Sequence, residues 1–184
     1  MAMLELVTTI GGASTNAYNT LAEFNAYLAE VFPKPDTALN ASEDNKNRAL
    51  VAACRQIYLK EYEGGKVAET QAQPFPRVGL VNPDSVVGWP DYVPELSRTG
   101  FVYYATDIIP DRVKRAECVI AQALLEGTYM PNEVGGGGSI QSFQTNGVTV
   151  QYGKARNGRD ATQWPQEATE LLKPLMKQLR FVRS

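Results

Sequence analysis

Four stretches of this 184-residue chain carry apolar residues at helical spacing, and proline or glycine interrupts the chain between them. The first opens with Thr20 and Glu23, which form a capping-box pattern, and is predicted to span residues 20–32. The second opens at Ser42 and is predicted to end at Gly64. Because each helix is short, none can bury its apolar face alone, and the helices must pack on one another.

Two more helices are predicted in the second half of the chain. Pro110 followed by Asp111 is typical of a helix N-terminus, and Gly127 is expected to end this helix. The last helix begins at Pro165, and Pro174 should kink it or split it in two. The sequence therefore predicts a mainly α fold, a small helical bundle of about four helices.

Two segments depart from the helical pattern. Residues 66–108 form a long loop rich in proline and aromatic residues, which we expect to pack down on the rest of the chain. Four consecutive glycines at 135–138 form a joint, and Asn146-Gly147 predicts a β-hairpin turn behind it. We therefore divide the chain into a helical core domain, 1–134, and an arm, 135–184, made of the hairpin and the C-terminal helix.

Composition excludes several kinds of chemistry. The chain has no histidine and only two cysteines, which rules out Ser-His-Asp and Cys-His catalysis and zinc sites built from Cys and His. Cys54 and Cys118 fall on predicted apolar helix faces, so we expect buried thiols without a disulfide. We expect no catalytic, cofactor-binding or metal-binding residues and no enzyme activity. No stretch is apolar enough to predict a membrane helix or a secretory signal.

Charge is uneven along the chain. The net charge is −2, yet residues 153–184 hold seven basic and three acidic residues. This pattern fits either a solvated helix face or a tail that docks on an acidic partner or near DNA phosphates.

The order of the segments resembles a known family. These segments are 18–27 (YNTLAEFNAY), 49–57 (ALVAACRQI), 74–79 (PFPRVG) and 109–127 (IPDRVKRAECVIAQALLEG). Through these segments, and over about residues 15–180, the chain resembles tailed-bacteriophage proteins labelled DnaT-like single-stranded-DNA-binding proteins. That group is similar to the head–tail connector (adaptor, head-completion) proteins. Phe75 stands where the family usually has tryptophan.

The connector likeness implies a structural virion protein without cofactors. It implies a homo-oligomeric ring of about twelve copies that docks under the portal protein and joins a downstream tail or stopper protein. The ring would extend the channel through which packaged DNA passes without sequence-specific binding. The protein would be made in the host cytoplasm and would reside at the head–tail interface of the virion, with no membrane partner.

The same likeness implies two docking arms. The C-terminal helix would present apolar and basic side chains to the portal or a neighbouring copy: Leu171, Leu172, Leu175, Met176, Leu179, Lys173, Lys177 and Arg180. The hairpin would contact a partner through Phe143, Val148, Val150 and Tyr152. We expect a chain that lacks residues 165–184 to keep its folded core and to lose portal attachment.

The alternative function is single-stranded DNA binding in phage replication, as the family label says. It calls for exposed aromatic side chains beside basic ones. The long loop supplies the aromatic residues Phe75, Trp89, Tyr92, Tyr103 and Tyr104. Within residues 75–104, which hold these aromatic residues, the basic residues are only Arg77 and Arg98, against the acidic residues Asp84, Asp91 and Glu95. This net negative charge favours the connector interpretation.

Overall fold

The computed structural model describes residues 4–84, 102–129, 142–145, 148–151 and 164–177. Its elements, in chain order, are α1 (Leu21–Glu30), α2 (Asp36–Leu39), α3 (Glu43–Tyr58), β1 (Gly65–Lys66), β2 (Arg77–Val78), α4 (Asp111–Leu125), β3 (Ser142–Thr145), β4 (Val148–Gln151) and α5 (Gln166–Leu172), which continues as a 3₁₀ turn, Lys173–Leu175. The fold is mainly helical with a β-hairpin, as the sequence predicts.

The first two long helices begin where side-chain caps are available. The Thr20 hydroxyl accepts a hydrogen bond from the Glu23 N–H (3.2 Å), and the Glu23 carboxylate accepts from the Thr20 N–H (2.7 Å). Ser42 caps α3 in the same way, accepting from the Asn45 N–H. These groups satisfy backbone donors that a helix N-terminus leaves unpaired, at about 1 kcal/mol per cap. The predicted starts of both helices are confirmed.

The core is built mainly from α3, α4 and α5, with α1 packed beside them. Its fully buried side chains come from all four helices and include Phe24, Leu28, Leu50, Ile57, Val113, Ile120 and Leu172. Burial of such side chains, each worth about 1.5–3 kcal/mol, is what holds these short helices in place.

The C-terminal helix belongs to this core. Ala168, Leu172 and Leu175 are fully buried, and α5 packs against α4. The predicted split at Pro174 is confirmed, because α5 ends at Leu172 and Pro174 lies in the 3₁₀ turn. Residues 164–177 of the segment that we assigned to an arm thus complete the bundle.

The second predicted helix ends earlier than expected. Helix α3 ends at Tyr58, whereas the sequence pattern placed the end at Gly64. Gly64 does not end the helix. Its φ is +72°, and an added Cβ would lie 2.2 Å from the Val78 carbonyl oxygen. Only glycine permits this close approach of the strands β1 and β2.

The long loop is less irregular than its composition indicates. Strands β1 and β2 pair antiparallel, and an isolated bridge joins Val81 to Tyr103. Phe75 is buried, which confirms that this part of the loop packs on the core.

The predicted hairpin is confirmed in its strands. Strands β3 and β4 pair antiparallel, with Phe143 opposite Val150 and Thr145 opposite Val148. Tyr152 and the Asn146-Gly147 turn lie outside the described residues.

Replacing Leu172 with alanine should lower the free energy of unfolding by about 2–5 kcal/mol, because it leaves a cavity between α4 and α5. The matched control is Leu59→Ala, the same change at a side chain that is 71% exposed, which should cost less than about 0.5 kcal/mol. Urea denaturation followed by circular dichroism measures both. Equal costs for the two variants would contradict the assignment of α5 to the core. By the same reasoning, removal of residues 165–184 should destabilise the core, in contrast to the expectation from the sequence.

Candidate nucleic-acid interface

A buried carboxylate joins the chain segment before α1 to the middle of α4. Glu117 has no exposed surface, and its carboxylate accepts hydrogen bonds from the Tyr18 N–H (2.9 Å), the Asn19 N–H (2.8 Å) and the Asn19 side-chain amide (2.7 Å). Sequence analysis missed this residue. Its position, four residues after Val113 on the same helix face, is the signal that could have found it.

Burial raises the pKa values of Glu117 and of the two cysteine thiols. Loss of solvation raises the pKa of Glu117 from about 4.5 to about 7, although the N–H donors oppose this shift. Burial also raises the pKa of the Cys54 thiol and brings that of Cys118 to about 12. Both cysteines are buried and free, as predicted, and thiols with raised pKa values are poor nucleophiles.

The segment 74–79 is held in place by its own arginine. The Arg77 guanidinium donates to the carbonyl oxygens of Glu63 (2.6 Å), Gly64 (2.6 Å), Tyr62 (3.1 Å) and Pro74 (3.1 Å). Phe75 in the same segment is buried, and its ring centroid lies 4.7 Å from that of Tyr62. The segment 74–79 therefore stabilises the fold. The Phe75 ring is buried, and the half-buried Arg77 guanidinium is engaged with backbone carbonyls, in contrast to the exposed side chains that the DNA-binding alternative needs.

An exposed surface with aromatic and basic side chains lies at the C-terminal end of α3. We call it the α3-end surface and define it by Tyr58, Leu59, Lys60, Lys66 and Trp164. The Lys66 ammonium lies 5.2 Å from the Tyr58 ring centroid, and the Lys60 ammonium lies 4.9 Å from that of Trp164. Tyr58 is 51% exposed, and Trp164 is half-buried.

Local structure explains how these residues meet. The turn after α3 exposes Leu59 and Lys60, strand β1 supplies Lys66, and Trp164 stands just before α5. Because three separate segments contribute, sequence spacing alone does not reveal the surface. The exposed Glu61 follows Lys60 in the chain, and its carboxylate lies 4.0 Å from the Lys177 ammonium, so an acidic group borders this surface.

Some of the docking residues predicted on the C-terminal helix are buried in the structure, and others are exposed. Leu172 and Leu175 point into the chain's own core, and Leu171 and Met176 are partly buried against it. Lys173 and Lys177 are exposed. In this conformation the apolar side chains of α5 do not form an open docking face. Leu179 and Arg180 lie outside the described residues, as do the side-chain surroundings of Phe143, Val148 and Val150.

The aromatic residues of the long loop also differ in burial. Phe75 is buried, Tyr104 is partly buried against the core, and Tyr103 is 42% exposed. Trp89 and Tyr92 lie outside the described residues.

The described part of the chain shows neither a metal-binding cluster nor a membrane-spanning helix. Among residues 4–84, 102–129 and 164–177, no three His, Cys, Asp or Glu side chains cluster closely enough to hold a metal ion. Within the same part of the chain, no helix has the length and hydropathy needed to cross a bilayer.

The buried carboxylate predicts an unusual pH dependence. Because the pKa of Glu117 is higher in the folded chain than in the unfolded chain, its contribution to stability is full below about pH 4.5 and is lost as the pH rises through 7. Relative to Glu117→Gln, which cannot titrate, the wild-type free energy of unfolding should fall by about 3 kcal/mol between pH 4.5 and 8. Urea denaturation over this range tests the sign. A difference between the two proteins that stays constant with pH would contradict it.

The comparison with protein-family models places the chain in a known family. A family model described as "Putative DnaT-like ssDNA binding protein" matches residues 2–184, which is nearly the whole chain. Neither the comparison with curated proteins nor that with solved structures gave a match. The DnaT-like resemblance expected from the sequence is thus confirmed, while the match carries no information on a connector role. The chain belongs to this family of DnaT-like proteins.

Proposed function

We propose that this protein binds single-stranded DNA without sequence preference, through the α3-end surface. The observation that carries the proposal is the pairing of the exposed Tyr58 with Lys66 and of the half-buried Trp164 with Lys60 at one end of α3. The description of the family gives independent support.

The chemistry of the surface suits an unpaired strand. Every base has a π-face, so bases can stack on the Tyr58 ring, and stacking is worth about 1–3 kcal/mol per base. The ammonium groups of Lys60 and Lys66 can pair with phosphates, and the exposed Leu59 side chain adds apolar contact. Stacking and phosphate contacts do not distinguish one base from another, which is why we propose binding without sequence preference.

The small number of lysines sets the expected salt dependence. Two phosphate contacts on a single strand give a slope of about −1.4 for the logarithm of the binding constant against the logarithm of salt concentration. The net charge of −2 and the neighbouring Glu61 further weaken attraction at long range. The proposal therefore predicts moderate affinity that is seen best at low salt.

Fluorescence anisotropy with a labelled oligothymidylate tests the proposal. Tyr58→Ala should weaken binding about 5- to 150-fold, because it removes one stacking platform. Lys66→Ala should weaken it less and should make the salt slope shallower by about 0.7. The matched control is Tyr103→Ala, at a tyrosine that is similarly exposed but lies on the long loop, and it should bind as the wild type does. Absence of binding at low salt, or equal loss in the control, would overturn the proposal.

A second function, the head–tail connector, is favoured by a different observation. Large apolar side chains are exposed at several places, among them Phe32 (95%), Leu59 (71%) and Ile108 (50%), and such side chains suit protein–protein contacts. In this alternative the chain is a non-enzymatic virion protein that forms a ring under the portal and contacts a tail or stopper protein. The exposed Lys173 and Lys177 would face the partner, and packaged DNA would pass through the ring.

Quantitative mass spectrometry of purified phage particles separates the two functions. The connector function predicts this chain in the particle at a ratio near 1:1 to the portal protein. The replication function predicts a chain that is abundant in infected cells and absent from particles.

A further inference from the structure

An open groove lies between the start of α1 and the segment 4–8. Its volume is about 370 Å³. Its lining is mostly apolar and is formed by Leu4, Glu5, Leu6, Thr8, Thr20, Leu21 and Asn47. The groove shares no residue with the α3-end surface.

The segment 4–8 is hydrogen-bonded like a β-strand along one edge. The Val7 N–H donates to the Asn16 side-chain oxygen (2.8 Å), and the Val7 carbonyl oxygen accepts from the Asn16 N–H (2.9 Å). The Glu5 carbonyl oxygen accepts from the Asn16 side-chain amide (3.0 Å). Residues 5 and 7 therefore direct their backbone groups to one edge, which Asn16 occupies.

The opposite edge is only partly paired. Because successive residues of an extended chain direct their backbone groups to opposite edges, residues 4, 6 and 8 share this second edge. At Leu4 it is closed by the start of α3, where the Leu4 N–H donates to Asp44 (3.2 Å) and the Leu4 carbonyl accepts from Asn47 (2.9 Å). The N–H and carbonyl groups of Leu6 and Thr8 have no partner in the described part of the chain. Two consecutive positions of the edge are thus open.

A buried acceptor stands where the pairing stops. Asn47 lines the groove and is only 6% exposed. Its side-chain oxygen is buried and accepts no hydrogen bond from the residues that the structure describes. Because a buried acceptor without a donor is unfavourable, this wall of the groove favours an occupant that brings N–H groups.

The groove and its open edge fit one class of ligand. An extended peptide backbone offers N–H and carbonyl groups at the spacing of an unpaired strand edge, and it satisfies both kinds at once. The lining leucines suit an apolar side chain, and the exposed Glu5 carboxylate suits a basic one. The lining holds no basic side chain, which disfavours a nucleic acid here.

We propose that an extended segment of a partner protein, apolar with a basic residue beside it, adds as a strand along Leu6 and Thr8. Its apolar side chain occupies the groove, and its basic side chain lies near Glu5. This peptide site is additional to the DNA surface at the end of α3.

Titration of the full-length, isotopically labelled protein with a capped peptide, Lys-Val-Leu-Val-Lys, tests the site. The largest amide shifts are expected at Leu6 and Thr8, because their N–H groups gain an acceptor. Absence of binding, or shifts confined to other surfaces, would overturn the proposal.

Two methylated peptides distinguish strand addition from contact through side chains alone. Each carries one N-methyl group, at the second or at the third residue, and both keep the same side chains. Because neighbouring residues of a strand face opposite edges, only one of the two methyl groups removes a bonding N–H. That peptide should bind about 2- to 12-fold more weakly than the parent, and the other should match the parent. Equal affinities of the two peptides would contradict strand addition.

The charge of Glu5 is tested by exchange. Glu5→Lys should weaken binding of the lysine peptide and strengthen that of a Glu-Val-Leu-Val-Glu peptide, each by about 2- to 5-fold. The matched control is Glu30→Lys, at an exposed glutamate outside the groove, and it should keep the wild-type preference. The same response to both peptides, or an equal effect of the control, would remove Glu5 from the site.

Tyr58→Ala separates this site from the proposed DNA binding. It should weaken binding of oligothymidylate and leave the affinity for the lysine peptide unchanged. Loss of peptide binding in this variant would place the peptide at the α3-end surface and overturn the inference.

Discussion

The buried Glu117 carboxylate is the interaction on which the helical arrangement depends. It accepts hydrogen bonds from two consecutive backbone N–H groups, those of Tyr18 and Asn19, directly before α1 begins. The entry of α1 into the bundle is therefore fixed to the centre of α4. Loss of the carboxylate would leave buried donors unpaired, while its presence costs solvation. Burial of the carboxylate thus costs solvation, and its hydrogen bonds give the first helix one defined position.

Arg77 fixes the other irregular part of the chain by the same means. Its guanidinium donates to carbonyl oxygens of two separate segments, at Glu63 and Pro74, and Phe75 between Pro74 and Arg77 is buried. The segments 74–79 and 109–127, which carry much of the family resemblance, thus contribute Arg77 and Glu117 to the stability of the fold. The proposed binding surface, at the end of α3, lies apart from both segments.

Local chemistry in the sequence was sufficient for some features and not for others. The capping pair Thr20 and Glu23 and the break at Pro174 depend only on neighbouring residues, so both were predictable. Periodicity shows that Leu172 is buried but not which element covers it, and the likeness to connectors suggested a partner where the structure has α4. The pairing of Tyr58 with Lys66 required β1 to return to the end of α3, which no local pattern encodes.

The central functional claim is that single-stranded DNA binds at the end of α3. Titration of the isotopically labelled protein with a short oligothymidylate, followed by amide chemical shifts, tests this claim most directly. The account predicts the largest shifts at Tyr58, Leu59, Lys60 and Lys66, with Tyr103 on the long loop unchanged. Shifts confined to other surfaces, or no shifts at low salt, would contradict it.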